Sequence, residues 1–152
     1  MVVAITEKQN LIYNGKHCPY CDIPTKIVDS TVVYRQNYGK IYYCDKCGAY
    51  VGCHNNSEIS KGRVANKELR KLKIEAHLYF DKIWKTKQMK RHDAYKWLSD
   101  KLNIPKEYTH IGMFSIKTCK DVVYYSKQLL NDLRRLELDF GQEPKTQYYE
   151  LN

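Results

Sequence analysis

Four cysteines stand in two matched pairs, in the segments Cys18-Pro-Tyr-Cys21 and Cys44-Asp-Lys-Cys47. Each C-x2-C pair places two thiolates on one tight turn, and two such turns together supply the four sulfur ligands of a structural Zn²⁺ site. With cysteine in all four positions, no coordination site stays open for water or substrate. The spacing therefore predicts one zinc ion bound by Cys18, Cys21, Cys44 and Cys47, with a structural role.

Disulfide bonds are the main alternative for paired cysteines, and they need an oxidising compartment. Residues 1–7 show neither the basic region nor the long apolar stretch of a secretory signal. No segment of the chain approaches the roughly 18 apolar residues of a membrane span. We therefore expect a cytoplasmic protein, in which paired cysteines bind metal.

Two further cysteines and a histidine lie outside this set. Cys53 and His54 follow the second pair closely, and either can in principle replace a ligand. Because four thiolates already saturate the ion, we expect both to pack around the ligands or support them. Cys119 has helical spacing with Ile116 and Val123, which predicts a buried free thiol.

The segment between the cysteine pairs has the composition of strands and turns. Residues 25–29 and 31–34 are rich in β-branched side chains and predict two strands, and residues 37–40 predict a turn. A strand at residues 41–43 then runs into Cys44, Gly48 allows the tight turn after the second pair, and residues 49–52 add a third strand. These elements predict a zinc-ribbon hairpin that brings the cysteine pairs together.

After Gly62 the apolar spacing becomes helical. It predicts one helix with a stripe from Ala65 to Ile83, a second around Trp97, and a third with Ser115 as its N-cap. The predicted fold is α+β, a zinc-ribbon module packed with about three α-helices. We expect residues 1–60 to form the N-terminal segment and ribbon, residues 61–140 the helical part of the same compact unit, and residues 141–152 a flexible tail.

The formal net charge of +9 is concentrated in one part of the chain. Residues 61–106 contain 14 basic and 5 acidic residues and carry the whole excess. On the first predicted helix four lysines lie opposite the apolar stripe, two arginines flank them at a neighbouring angle, and Ile74 and Leu78 point to the basic side. A solvated face explains this pattern, and so does a surface for an acidic protein or a nucleic acid. The candidate partner-binding residues are Arg63, Lys67, Arg70, Lys71, Lys82 and Lys85.

The predicted ribbon is also rich in tyrosine. Five of the chain's 14 tyrosines fall within residues 25–52, and aromatic rings on a small sheet can stack on unpaired bases. In a module with so little core, packing is the more frequent role of such rings, and we expect packing here. The five are Tyr34, Tyr38, Tyr42, Tyr43 and Tyr50.

The sequence carries no recognised catalytic motif. It has no H-E-x-x-H, no glycine-rich phosphate loop and no serine elbow. Asp29, His54, His77, Asp81 and His110 can in principle meet in a hydrolytic or second metal site. Dispersed polar residues more often cap helices or satisfy buried backbone groups, so we expect a protein that is not an enzyme.

A set of short motifs accompanies the cysteine pairs. Among them are Val51-Gly52-Cys53-His54, Ala65-Asn66-Lys67-Glu68-Leu69-Arg70, Ala94-Tyr95-Lys96-Trp97-Leu98 and His110-Ile111-Gly112-Met113-Phe114. With the pairs, they resemble a zinc-finger-containing family of unknown function found in bacteria and their phages. The resemblance covers about residues 18 to 123. It implies a four-cysteine zinc site and a phage or prophage setting, with no activity attached.

The chain is also similar in size and type to the zinc-bearing anti-CRISPR inhibitors, which bind the DNA-cutting effector of type II CRISPR systems. This resemblance implies a counter-defence inhibitor that binds the nuclease in the bacterial cytoplasm and hinders target-DNA loading. A net charge of +9 argues against imitation of DNA by an acidic surface. The alternative is a DNA- or RNA-binding zinc ribbon that uses the basic face of residues 61–106.

Overall fold

The computed structural model describes residues 4–140, in which four helices and two small antiparallel sheets confirm the predicted α+β class. The predicted tail, residues 141–152, lies outside the described residues. The helices are α1 (Glu7–Tyr13), α2 (Lys67–Lys85), α3 (Arg91–Leu102) and α4 (Ile116–Phe140). The strands are β1 (His17–Cys18), β2 (Ile23–Pro24), β3 (Lys26–Asp29), β4 (Lys40–Tyr43) and β5 (Tyr50–Gly52).

The ribbon consists of two antiparallel sheets that carry the cysteine pairs. β1 and β2 form a hairpin around the first pair, with Cys18 opposite Ile23. β3, β4 and β5 form a sheet in that order, in which Asp29 pairs with Lys40 and Ile41 with Gly52. The second pair lies in the connection between β4 and β5, so each pair is held by its own hairpin.

The prediction of a strand at residues 31–34 is wrong. Ser30–Val32 form a 3₁₀ turn instead. The Ser30 hydroxyl accepts the N–H of Tyr38, at 2.6 Å, and the Asn37 side chain accepts the N–H of Gly39, at 2.9 Å. These local hydrogen bonds fold the segment into a loop and outweigh the β propensity of its Thr and Val residues.

Helix α1 was not expected from the sequence. Thr6 and Gln9 form a capping box at its start, in which each side chain accepts the other residue's backbone N–H. The helix also contacts the C-terminal half, because Tyr108 donates its hydroxyl to Asn10 Oδ1 at 2.8 Å and its ring lies 5.1 Å from that of Tyr13.

The three predicted helices are confirmed as α2, α3 and α4, which pack around a core that includes Phe80, Leu98 and Phe114. α2 begins at Lys67, later than the apolar stripe suggested, because Ala65 pairs with Tyr50 at the edge of the ribbon sheet. The predicted cap of α4 is also confirmed, since the Ser115 hydroxyl accepts the N–H of Thr118 at 3.2 Å. None of the helices within residues 4–140 has the length and apolar composition needed to cross a membrane.

Two glycines join the ribbon to the helical part at a contact that we call the joint (residues 61–63 and 111–113). A Cβ on Gly62 would lie 2.1 Å from the Gly112 carbonyl oxygen, and a Cβ on Gly112 would lie 2.2 Å from that of Lys61. Arg63 donates its backbone N–H to Gly112, at 2.9 Å, and its Nε to the Met113 carbonyl, at 3.0 Å. Gly112 and Met113 of the His-Ile-Gly-Met-Phe motif therefore contact the end of the ribbon and hold the two parts of the chain together.

Candidate metal centre and binding surfaces

The sulfur atoms of the four paired cysteines form one cluster, in which all lie within 4.8 Å of one another. Zn–S bonds of about 2.3 Å at tetrahedral angles place the sulfurs about 3.8 Å apart. The Sγ atoms of Cys18 and Cys47 are separated by 3.7 Å. This is far longer than the disulfide bond of about 2.05 Å, and all six cysteines are free. Cys18, Cys21, Cys44 and Cys47 therefore fit a single structural zinc ion, as predicted.

Matching turns present the two cysteine pairs. The residue after each pair has a left-handed backbone, with φ of 58° at Asp22 and 83° at Gly48. In the first turn the N–H of Asp22 donates to the Cys18 carbonyl at 2.9 Å, and in the second the N–H of Gly48 donates to Cys44 at 2.8 Å. Lys8 binds the Asp22 carboxylate at 2.6 Å, which helps to hold a conformation that is unfavourable for most non-glycine residues.

The pKa values of three of the clustered thiols depart from the ordinary value, two of them upward and one downward. Loss of hydration and the Cys47 and Cys44 sulfurs raise the pKa of Cys21 to about 12, and burial raises the pKa of Cys18. Burial also opposes ionisation of Cys44, but the backbone N–H groups of Cys47 and Lys46 donate to its sulfur and lower its pKa to about 7. Because zinc binds thiolates, its binding releases protons and its affinity rises with pH.

Cys53, His54 and Cys119 lie outside the sulfur cluster, which is the only group of potential metal ligands within residues 4–140. Cys53 is partly buried and packs against the ribbon core, while the His54 side chain is exposed. Cys119 is a fully buried free thiol, as predicted. Burial raises the pKa of Cys119 to about 11 although Lys73 and Arg63 lie nearby, so this thiol stays protonated at neutral pH.

Six exposed residues of α2 form a continuous stripe, which we call the ridge. Sequence steps of three and four keep them on one face of the helix. Ile74 is 73% exposed and Leu78 is 55% exposed, so no other helix of the described chain covers them. Lys85 lies 3.8 Å from Asp81, whereas the other ridge lysines have no carboxylate within 4.0 Å among the described residues. The ridge consists of Lys67, Lys71, Ile74, Leu78, Lys82 and Lys85.

The two arginines predicted to bind a partner lie elsewhere, and both are engaged within the chain. Arg63 belongs to the joint, and its guanidinium group also lies 5.5 Å from the centre of the Tyr13 ring. Arg70 donates to the Ala65 carbonyl at 2.7 Å and lies 4.5 Å above the Tyr50 ring. Their charges thus help to hold the ribbon against the helices.

A cleft with a cavity of about 470 Å³ lies between the ribbon and the helices. Three of the five residues considered for catalysis, His54, His77 and His110, line this cleft, but they do not form a metal-binding cluster. Asp81 lies 3.5 Å from Nδ1 of His77, while Asp29 binds Lys40 on the ribbon sheet at 2.9 Å. The sequence reasoning did not anticipate the cleft, because its residues come from five separate segments of the chain.

The sulfur cluster, the ribbon and the helical part define the class of the molecule as a zinc-ribbon protein. Residues 14–129 match the DUF3268 family, which is described as a zinc-finger-containing domain. This match covers most of the chain, and the chain belongs to that family. Neither a search of curated proteins nor a search of solved structures returned a match. The family match and the geometry of the sulfur cluster both indicate a metal-binding protein whose zinc supports a binding function.

Proposed function

We propose that the chain is a binding protein without catalytic activity that uses the ridge of α2 to contact an acidic surface of a partner protein. The observation that carries the proposal is the exposure of Ile74 and Leu78, 73% and 55%, between lysines at both ends of the ridge. Solubility alone does not require large apolar side chains in such positions. Apolar residues surrounded by charge are typical of an interface in which burial provides affinity and charge steers the encounter.

The absence of catalysis is part of the proposal and is supported by the chemistry of the metal centre. Four thiolates complete the tetrahedral coordination of zinc, so no position is left on which water or a substrate could be activated. The candidate catalytic histidines lie on separate segments, and none of them belongs to a group of three or more potential metal ligands among the described residues. We infer that the zinc ion stabilises the ribbon.

The partner that we propose is an effector of a host defence system, namely a type II CRISPR nuclease. Support comes from the size and zinc content that the chain shares with zinc-bearing inhibitors of such effectors. The charge of the ridge is opposite to that of DNA, so the inhibitor would not imitate DNA. It would bind the nuclease itself and hinder the loading of target DNA.

A charge-reversal pair with a matched control tests the ridge. The ridge variant carries Lys67→Glu and Lys71→Glu, and the control carries Lys96→Glu and Lys120→Glu on exposed positions of α3 and α4. Both variants change the net charge equally, and Glu near the start of α2 suits the helix dipole. Binding to the guide-loaded nuclease should weaken roughly tenfold in the ridge variant only, which is about 1.4 kcal/mol. Equal weakening in both variants would show that net charge alone matters.

The dose dependence of inhibition separates the proposed mechanism from its alternatives. A stoichiometric inhibitor stops target-DNA cleavage in proportion to its molar ratio to the nuclease, and a complex of the two elutes from a sizing column. Inhibition below stoichiometry that grows with time would instead indicate an enzyme. Inhibition that vanishes when bulk DNA is added, with no complex on the column, would indicate the alternative function, a nucleic-acid-binding zinc ribbon.

A further inference from the structure

The cleft between ribbon and helices is lined by basic side chains. It continues into a second cavity of about 290 Å³, because Tyr95 and His110 line both. Together the two walls include five Lys or Arg residues, four of the chain's five histidines, and no Asp or Glu. The residues are Lys61, Arg70, Lys73, Arg91 and Lys106, with His54, His77, His92 and His110. A concave site of this composition attracts an anion.

Carboxylates lie beside two of these histidines, with Asp81 3.5 Å from His77 and Asp93 3.7 Å from His92, but Lys73 has no such partner in the described chain. Its Nζ donates to the Arg63 carbonyl at 3.2 Å and has no carboxylate within 4.0 Å among residues 4–140. Burial lowers the pKa of Lys73 to about 8. A partly buried cation without a counter-charge destabilises the folded state, and an anion bound beside it would relieve that cost.

Aromatic rings line the same cleft. The Arg70 guanidinium covers one face of Tyr50 at 4.5 Å, and the Tyr34 hydroxyl donates to that of Tyr50 at 3.1 Å. Tyr34 itself stays 42% exposed. Its ring lies at right angles to those of Tyr38 and Tyr50, with centroids 5.5 and 5.8 Å away, and Arg70 lies on the farther of the two, Tyr50. Proteins bind unpaired bases with an exposed ring that stacks on the base and nearby cations that contact the phosphate.

We propose that this cleft binds an unpaired nucleotide, with the phosphate contacted by Lys61, Arg70 and Lys73 and the base stacked on Tyr34. The cavity volume of about 470 Å³ falls within the range of small-ligand sites. The site does not depend on the function proposed for the ridge, because Arg70 and Lys73 leave α2 on a different face. Bases in a duplex are stacked on each other, so double-stranded DNA should not fill the site.

Fluorescence anisotropy of the zinc-loaded full chain tests this site with short labelled oligothymidylate and oligouridylate strands. Wild-type protein should bind the single strands and should prefer them to a duplex of the same length. Tyr34→Leu and Lys61→Glu should each weaken binding, by roughly tenfold for the loss of one stacking ring. Tyr34→Phe keeps the ring and should restore binding. Tyr124→Leu, which removes a 58% exposed ring on α4, is the matched control.

Competition with adenosine monophosphate distinguishes the two sources of the ligand. Displacement of the strand by the free nucleotide would identify a mononucleotide site, and displacement by oligonucleotides alone would identify a single strand as the ligand. In both cases the Tyr34→Leu variant must bind the labelled strands more weakly than wild type. The proposal fails if that variant binds like wild type, if the duplex binds as tightly as the strands, or if only the Lys67→Glu/Lys71→Glu ridge variant loses binding.

Discussion

Replacement of Gly112 by alanine should loosen the joint between ribbon and helices without touching the metal ligands. The new Cβ would lie 2.2 Å from the Lys61 carbonyl oxygen, whereas real Cβ atoms essentially never approach within 3.0 Å of another heavy atom. The backbone must therefore move by about 0.8 Å, a distance too large for the close packing of this contact to absorb.

The energetic cost follows from the two hydrogen bonds of the joint. A shift of this size along the bond from the Arg63 N–H to Gly112, now 2.9 Å, would lengthen it to about 3.7 Å, beyond the hydrogen-bond range. A backbone hydrogen bond contributes about 1 kcal/mol and one from a charged donor about 1.5–3 kcal/mol. Loss of the first, and of the bond from Arg63 Nε to Met113, should lower the free energy of unfolding by roughly 2.5–4 kcal/mol.

Gly52→Ala is the matched control, because a Cβ at Gly52 meets no atom within 4 Å. Urea unfolding of both zinc-loaded variants, followed by tryptophan fluorescence, gives the comparison. We expect Gly52→Ala to stay within about 1 kcal/mol of wild type, and both proteins to keep one zinc ion. If Gly112→Ala unfolds at the same urea concentration as Gly52→Ala, the joint does not hold the two halves together as described.

Three further predictions concern the cysteines, Lys73 and the pH dependence of zinc binding. Cys44→Ser should abolish zinc binding, while Cys53→Ser and Cys119→Ser should each retain one zinc ion per chain by metal analysis, since neither sulfur belongs to the cluster. Lys73→Met should raise the free energy of unfolding at pH 7 by up to about 3 kcal/mol, because the pKa of Lys73 is lowered from 10.5 to about 8 in the folded chain. Between these two pKa values the unfolded chain binds more protons than the folded chain, so the stability of the wild type should rise with pH. The stability advantage of Lys73→Met should therefore shrink between pH 8 and 10.5. An advantage that does not change with pH would show that the charge of Lys73 is not its cause. Zinc affinity measured by competition with a chelator should fall as pH is lowered from 8 to 6, with proton release seen by calorimetry in buffers of different ionisation enthalpy, because the ligand sulfurs must be ionised.

The metal centre was predictable because its ligands belong to two short sequence motifs. Each C-x2-C pair places two ligands on one turn, and the left-handed turn at Gly48 is visible in the sequence as a glycine after the pair. Helices α2 to α4 were predictable from apolar spacing for the same reason. Helix α1 also had a signal, the Thr6-x-x-Gln9 capping box, which the sequence reasoning did not use.

The roles of individual basic side chains were not predictable in the same way. Arg63 and Lys67 are four residues apart, and the charge pattern made both of them candidates for partner binding. Arg63 donates to Met113, 50 positions along the chain, whereas Lys67 has no such contact within residues 4–140 and stays on the ridge. Only the tertiary fold distinguishes them, and the cleft likewise exists only because the ribbon sheet and α2 come together.

Zinc K-edge X-ray absorption on protein purified without chelator tests most directly whether the metal centre is closed and structural. The structure predicts one zinc ion per chain with four sulfur neighbours at about 2.3 Å, supplied by the cluster of Cys18, Cys21, Cys44 and Cys47. A spectrum with three sulfurs and a nitrogen or oxygen neighbour would mean that His54 or water enters the coordination sphere, and would contradict both the ligand assignment and the inference that the zinc takes no part in chemistry.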